Sequence, residues 1–399
     1  TCALPISHSP VSECKKRLNE ATVLPTLQHI GVEMMKMYER GSKNYSFVYS
    51  ELKIFHKFIQ LLSLGSESAR SNIKSVIDLS DDTECDEYYC EAFSEILNDI
   101  SKSVGHNFVY ESYLFYQYNK TLITDFGQCG TLKRMDFTMD TEDIILVLSE
   151  AYDFMSERSF YEIFDPIWDR RTDFYLLSGI RLRQAIFNVN DCYRSLDPFI
   201  DLDGKEHNLA YYEMKSNFWY GEKYLISIEG VRTIRLIYGE INKNSLYMLY
   251  FHPLFTEEDN LSTKSKCIQD IFADLRQYIN DTVSKRGSEA RNISTVATPY
   301  MYFHSETNLR HILASNLTEL LYPDQITNLY NHSTTAYELR TWEYRYNEGT
   351  RGCYFLFDYP GDHSGHRMDS PFVFVIMDKA TNIILKTGAY LRPKYPFLG

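Results

Sequence analysis

The sequence lacks the short motifs that identify most enzymes, metal sites and membrane proteins. It has no GxSxG, HExxH or P-loop pattern, no CxxC pair and no set of cysteines at zinc-ligand spacing. No apolar run approaches the ~20 residues that a helix needs to span a bilayer, and no repeat or linker rich in Pro, Gly and Ser divides the chain. We therefore expect a non-enzymatic protein without cofactor, metal or membrane insertion, folded as a single domain over residues 1–399.

Positive charge is scarce as well, since 41 Lys and Arg face 54 Asp and Glu and the net charge is −13 at pH 7. Such a chain repels a nucleic acid unless its basic residues form a local patch. The basic clusters at 181–184 and 264–266 are too short to form one. The sequence therefore predicts no nucleic-acid partner.

Aromatic residues, by contrast, are abundant, with 32 Tyr and 24 Phe. Tyrosine in such numbers is typical of β-strands and binding surfaces rather than of helical bundles. A pocket for a small ligand in this chain would be lined by such rings, and the sequence does not say which ones.

The eight cysteines are scattered, at positions 2, 14, 85, 90, 129, 192, 267 and 353. An even number with such spacing is typical of disulfides formed in an oxidising compartment, and eight buried thiols in a cytosolic protein is the alternative. Cys2–Cys14 and Cys85–Cys90 would close short loops and are the candidate pairs, although spacing alone does not fix the connectivity.

Asn-X-Ser/Thr sequons favour the oxidising alternative. They occur at Asn44, Asn119, Asn260, Asn280, Asn292, Asn316 and Asn331. The first residue is Thr1 rather than Met, as in a secreted protein that has lost its signal peptide, or in a trimmed chain. We therefore expect a secreted, extracellular glycoprotein that carries sugar at these asparagines.

Hydrophobic spacing changes along the chain from the period of helices to that of strands. It predicts helices over 27–38, 52–64 and 266–281, strands over 106–118 and 142–154, a strand pair over 231–253 and a hairpin over 371–393. The first arm of the hairpin is apolar on both faces, which favours a place in the core. Helices followed by mixed strands and helices predict an α+β fold.

The last segment carries a recognisable order of residues: Pro-Phe, an apolar strand, an Asp/Thr/Asn turn, Ile-Leu-x-x-Gly and a final Arg-Pro, over 371–393. It resembles the C-terminal hairpin of the serpins. Further segments resemble that family in the same order, namely SFVYSELKI (46–54), LLSLGSESARSNIKSVIDL (61–79), IILVLSEAYDF (144–154) with FDP (164–166), GVRTIRLIYGEINKNSLYMLYFHP (230–253) and NLRHILASNLTELLY (308–322). The resemblance implies three β-sheets, about eight or nine helices and an exposed reactive-centre-type loop at 348–370.

The resemblance also places a hinge at the start of that loop. Inhibitory serpins insert the cleaved loop into the main sheet as a new strand, and their hinge consists of small residues. Here the hinge reads Glu348, Gly349, Thr350, Arg351, Gly352, Cys353, Tyr354 and Phe355, of which the first three match the family and the last five replace a run of alanines. Strand side chains alternate, so either register turns one ring of Tyr354 and Phe355 into the sheet. Overpacking costs ~1–3 kcal/mol for each ring, which predicts a loop that does not insert.

Other positions depart from the family pattern in the same direction. Ser50-Glu51-Leu52-Lys53-Ile54 stands where serpins have Ser-Pro-x-Ser-Ile beneath the sheet that opens, and a lysine there is costly to bury. Glu150-Ala151 stands in place of Asn-Ala, and a family histidine falls near Leu339. Cys353 would tether the loop if it were bonded to the body of the protein.

The sequence thus predicts a non-inhibitory serpin-fold glycoprotein that binds an extracellular protein or small molecule, as a carrier, decoy or storage protein. The alternative is a suicide-substrate inhibitor of a serine protease, cleaved at His363–Ser364 or at Arg367–Met368. Asp362, His363 and His366 could reach one metal ion, but loop histidines are usually only solvated, so we expect none.

Overall fold

A computed structural model describes most of the chain. The described residues are 9–20, 24–39, 46–79, 83–105, 108–123, 126, 128–156, 172–182, 192–227, 230–241, 245–284, 291–299, 301–308, 324–330, 340–346 and 366–393. Their helices are α1 (Pro10–Glu20), α2 (Leu24–Glu39), α3 (Glu51–Leu64), α4 (Glu67–Val76), α5 (Tyr89–Val104), α6 (Thr141–Ser156), α7 (Leu261–Ala273) and α8 (Leu275–Ser284).

The strands are β1 (Phe47–Tyr49), β2 (Phe108–Gln117), β3 (Thr131–Met135), β4 (Phe174–Leu182), β5 (Cys192–Ile200), β6 (Glu206–Ser227), β7 (Gly230–Ile241), β8 (Leu246–Pro253), β9 (Arg291–Pro299), β10 (Tyr302–Asn308), β11 (Arg340–Tyr346), β12 (His366–Arg367), β13 (Phe372–Asp378) and β14 (Ile384–Tyr390). They form a nine-stranded sheet in the order β1-β14-β13-β8-β7-β6-β9-β12 with β5 beside β6, a three-stranded sheet β3-β2-β4 and a two-stranded sheet β10-β11. The expected α+β fold with three sheets is confirmed, with eight helices in the described part of the chain.

The chain divides into two compact units, each assembled from three separate segments. Unit 1 comprises Thr1–Thr26, Lys53–Leu182 and Asn308–Arg340, and unit 2 comprises Leu27–Leu52, Arg183–Thr307 and Thr341–Gly399. Neither unit is continuous in sequence. The single domain over residues 1–399 therefore stays a prediction.

The C-terminal hairpin lies in the core of unit 2, as its apolar residues predict. Every residue of β13 and β14 is buried. Strand β13 pairs with β14 on one side and with β8 on the other, so that Val375 lies between Thr387 and Leu249. A strand with neighbours on both edges and cover on both faces favours apolar residues on both faces, as in residues 372–377.

Gly388 in β14 lies where three strands of this core, β1, β13 and β14, are in close contact. A Cβ atom there would overlap the backbone carbonyl oxygen of Phe47 in β1 and the ring of Phe374 in β13. We expect Gly388→Ala to lower the free energy of unfolding by about 3 kcal/mol, because a backbone atom cannot yield as a flexible side chain does. Gly221→Ala is the matched control, since a Cβ at that strand position meets no atom within 4 Å. Urea unfolding checks the difference, and equal stability of the two variants would contradict it.

Among the described residues, segment 142–154 is the predicted element whose type is wrong. It forms helix α6 rather than a strand. Ile144 and Leu148 are buried one helical turn apart, whereas Leu146 and Val147 between them are exposed, and acidic residues in the first turn favour a helix start. Helical spacing therefore overrides the β-branched composition, and the comparison of Glu150-Ala151 with a family strand does not apply.

The other predicted elements agree with the structure. Helices α2 and α3 cover 27–38 and 52–64, β2 covers most of 106–118, and β7 and β8 form the pair within 231–253. The predicted helix over 266–281 is two helices, α7 and α8, because the first ends before Asp274. Residues 309–322, predicted as a helix, and 164–166 lie outside the described residues.

The disulfides differ from the expected pairs. Cys14 is bonded to Cys85 and Cys90 to Cys129, so Cys2–Cys14 and Cys85–Cys90 are wrong. The backbone after Cys85 turns helically, with the Tyr89 amide donating to the Cys85 carbonyl oxygen, and this turn separates residues 85 and 90. Helix α1 packs on α5, which brings Cys14 to its distant partner.

Candidate functional site

The predicted hinge and most of the predicted loop lie outside the described residues. Strand β11 ends at Tyr346, two residues before Glu348, and the described chain resumes at His366. Residues 348–355 and the bond His363–Ser364 fall between these points, so their roles stay predictions. Leu339 and Asp362 are likewise outside. The structure therefore shows this region only through residues 366–370, which form the end of the predicted loop.

That segment, residues 366–370, is called here the return segment. Strand β12 pairs in parallel with β9, with His366 opposite Val296. The amide of Met368 donates to the carbonyl oxygen of Ala297 at 2.9 Å. The hydroxyl of Tyr211 donates to the Met368 carbonyl oxygen at 3.1 Å, and the Met368 side chain is fully buried. Main-chain bonds thus hold the return segment in the nine-stranded sheet.

An ion pair and one more main-chain hydrogen bond also hold the return segment. The guanidinium of Arg367 bonds the carboxylate of Asp197 in β5, with 3.0 Å between Nη1 and Oδ1. The amide of Ile200 donates to the carbonyl oxygen of Asp369 at 2.9 Å. Because a protease needs an exposed, extended segment, the bond Arg367–Met368 does not suit a scissile bond. Residues 366–369, at the end of the predicted loop, are therefore bonded to the nine-stranded sheet.

A buried histidine in β8 joins two residues of the return segment. His252 has no solvent exposure. Its Nδ1 lies 2.9 Å from Nε2 of His366, and its Nε2 lies 2.7 Å from Oγ of Ser370. The ring of His366 also lies 5.7 Å from that of Tyr220 in β6. One imidazole therefore bonds both ends of a five-residue segment.

Both imidazoles of this pair are neutral at pH 7. Burial lowers the pKa of His252 well below its usual value, and the electrostatic influence of His366 and Arg235 lowers it further. Burial also lowers the pKa of His366 to about 4, with Arg235 acting in the same direction and Glu222 opposing it. A neutral imidazole has one donor and one acceptor nitrogen, so the two rings share a single N–H···N bond.

Sequence reasoning missed His252. The only sequence signal is the position of His252 between the apolar run LYMLYF (246–251) and Pro253. In the sequence it lies far from His366 and Ser370, and only the pairing of β8 with β13 brings them together. The sequence also raises the alternative of a metal ion bound by Asp362, His363 and His366. In the structure the Nε2 of His366 bonds His252, and Asp362 and His363 lie outside the described residues.

Helix α3 in unit 1 carries a second group of sequence-predicted residues. Lys53, which stands where the family pattern has a small residue beneath the sheet, is buried. On the same helix face, Gln60 Nε2 donates to Ser112 Oγ at 2.8 Å and to the Cys129 carbonyl oxygen at 2.9 Å, and His56 bonds the hydroxyl of Tyr110. Directional hydrogen bonds thus fix α3 to β2, where an apolar contact would allow sliding.

Two lysines of α3, the buried Lys53 and the half-buried Lys57, add to this network. Burial lowers the pKa of Lys57 well below its usual value, and the charge of Lys53 one turn earlier lowers it further. Nζ of Lys57 donates to Gln60 Oε1 at 3.2 Å. Rearrangement of β2 over this face would therefore break hydrogen bonds to groups that are costly to leave unsatisfied.

Comparison with known proteins gives a structural likeness and no sequence match. No protein-family model matches the sequence, and no curated protein matches it. The structure of native protease nexin-1 with heparin is similar at a TM-score of 0.69 and 15% identity, covering 96% of this chain and 100% of that one. Uncleaved ovalbumin is similar at 0.70 and 17%, covering 93% and 100%. Both are serpins, and at these identities the likeness concerns the fold alone.

Proposed function

We propose, from the premise that this chain has the serpin fold, that it is a secreted, non-inhibitory glycoprotein that binds an extracellular protein or small ligand. A carrier, decoy or storage role would each follow from such binding. One observation carries the proposal. The hinge that would have to become a strand contains two adjacent rings, Tyr354 and Phe355.

Inhibition by loop insertion is a race against hydrolysis of the bond between protease and loop. Every 1.4 kcal/mol on the insertion barrier slows that step about tenfold. A buried ring that overpacks the sheet adds ~1–3 kcal/mol, and one of the two rings faces the interior in either register. Hydrolysis then releases a cut protein and an active protease.

The hydrogen-bonded face of α3 supports the same conclusion. Insertion of a strand requires the main sheet of a serpin to part over this helix, according to the family resemblance. Here Gln60 and His56 bond β2 directly, and Lys53 is buried beside them. These contacts oppose the rearrangement in addition to the hinge rings.

Secretion rests on two kinds of support. The two disulfides are typical of an oxidising compartment. The sequon asparagines Asn119, Asn260 and Asn280 are exposed and open to glycosylation, Asn292 lies in β9, and Asn44, Asn316 and Asn331 are outside the described residues. Among the helices that the structure describes, none is long and apolar enough to cross a membrane.

Incubation with trypsin-like, chymotrypsin-like and elastase-like serine proteases, followed by denaturing gel electrophoresis, tests the proposal. We expect clipped fragments and undiminished protease activity, because acyl-enzyme hydrolysis wins the race. A protease inactivated at its catalytic serine is the control for non-covalent association. A band at the summed mass that requires active protease would contradict the proposal and support the alternative, inhibition through His363–Ser364.

A further inference from the structure

We propose that His252 and His366 form an acid-sensitive latch that holds the return segment in the sheet at neutral pH and releases it as the pH falls toward 5. The latch does not depend on whether the protein inhibits proteases. It follows from the position of the pair, since His366 belongs to the return segment while His252 belongs to the core strand β8.

The geometry of the pair leaves no room for two extra protons. Nδ1 of His252 and Nε2 of His366 are 2.9 Å apart, so one of them donates and the other accepts. If both rings were protonated, two N–H groups would face each other and the bond would be lost. A single added proton preserves the bond but places a positive charge on a partly or fully buried ring.

The carboxylates around the pair are solvent-exposed and compensate such a charge only in part. Arg235 in β7 lies directly opposite His252 across the strand pair and repels it. Glu222 in β6 is the facing carboxylate, but its side chain is 45% exposed and lies 3.7 Å from Arg235, and it bonds the Tyr220 hydroxyl. The other carboxylate, Asp369, has Oδ1 3.8 Å from His252 Nε2 and a side chain that is 59% exposed.

The direction of the pH effect follows from the lowered pKa of His366. A released His366 takes up a proton near pH 6.5, whereas in the sheet it does so only near 4. The preference for the attached state is therefore complete above pH 6.5 and declines between 6.5 and 4. At pH 5 the released state gains about thirtyfold relative to neutral pH from this one group, and His252 adds to the effect in the same direction.

Release would have a specific consequence. Detachment of β12 breaks the Met368–Ala297 bond and the Arg367–Asp197 ion pair. Residues 366–370 would then be free of β9 and β5, and β13 would be the next segment that stays paired in the sheet. Acidification, as in an endosomal compartment, would thus change the loop while leaving the hairpin core in place.

Hydrogen–deuterium exchange of the wild-type protein at pH 7.5 and pH 5.0, with exchange times scaled for the intrinsic rates, tests the latch. A peptide covering 366–370 is expected to lose protection about thirtyfold or more at pH 5.0. A peptide from β13 is the internal control and should change less than threefold. Unchanged protection of 366–370 would overturn the proposal, and so would an equal loss in β13, which would indicate general acid unfolding.

Three variants separate the latch from other causes. His366→Gln keeps an amide that can bond His252 but cannot be protonated, and it should remove most of the pH dependence. Arg235→Gln removes a repelling charge and should weaken the pH dependence, whereas Glu222→Gln removes an attracting charge and should strengthen it. The latch would be contradicted if His366→Gln lost as much protection at pH 5.0 as the wild type. It would also be contradicted if Arg235→Gln and Glu222→Gln changed the pH dependence of protection in the same direction.

Discussion

Removal of the disulfide Cys14–Cys85 is expected to lower the free energy of unfolding by about 4 kcal/mol at 25 °C. The bond closes a loop with a sequence separation of 71, and a cross-link of that length removes much conformational freedom from the unfolded chain. The same bond fastens α1 to the residues before α5, and the other contacts of α1 include ion pairs such as Lys15 with Asp99 at 2.6 Å. Exposed pairs of this kind contribute ~1 kcal/mol or less.

Cys14→Ala/Cys85→Ala in urea unfolding measures this loss. Cys267→Ala is the matched control, because it removes the sulfur of a buried thiol without removing a cross-link, and it should lose about 1–2 kcal/mol. A double variant no less stable than this control would contradict the assigned connectivity. Peptide mapping without reduction then identifies the partner of each cysteine.

The second large effect concerns the hinge rings. In protein cut once within 356–365, Tyr354→Ala/Phe355→Ala is expected to insert its loop at least tenfold faster than the wild type, because it removes ~1–3 kcal/mol of overpacking for each ring that enters the sheet. Insertion adds a strand to the sheet and should be visible as a rise in Tm of the cut form.

The control for this variant removes two rings from the same loop farther from the hinge. Phe357→Ala/Tyr359→Ala has the same loss of aromatic surface, but it leaves the pair at 354 and 355 in place. We expect its cut form to behave like cut wild type. If cut wild type and both cut variants insert the loop at the same rate, the rings at 354 and 355 do not set the barrier to insertion.

The parts of the fold that could be predicted are those in which one local pattern determines both structure and burial. The apolar run of β13 predicted a core strand because no polar position was available for solvent. The hydrophobic spacing over 52–64 predicted the helix that α3 forms. The order of such segments along the chain was enough to indicate the serpin fold.

The errors arose where distant contacts decide the outcome. Segment 142–154 has strand-like composition, yet burial of Ile144 and Leu148 on one face selects a helix. Cys14 pairs with Cys85 because α1 lies against α5, which loop length alone does not reveal. His252 has no local signal at all, since its partners come from the strand pairing of β8 with the C-terminal hairpin.

The thermal unfolding of the wild-type protein before and after a single cut within 356–365 tests the central claim most directly. If the rings at 354 and 355 keep the hinge out of the sheet, the cut and intact proteins unfold within a few degrees of each other. A cut form with a much higher Tm, and with the amides of 348–355 newly protected from exchange, would show that the hinge enters the sheet and that the protein retains the machinery of a protease trap.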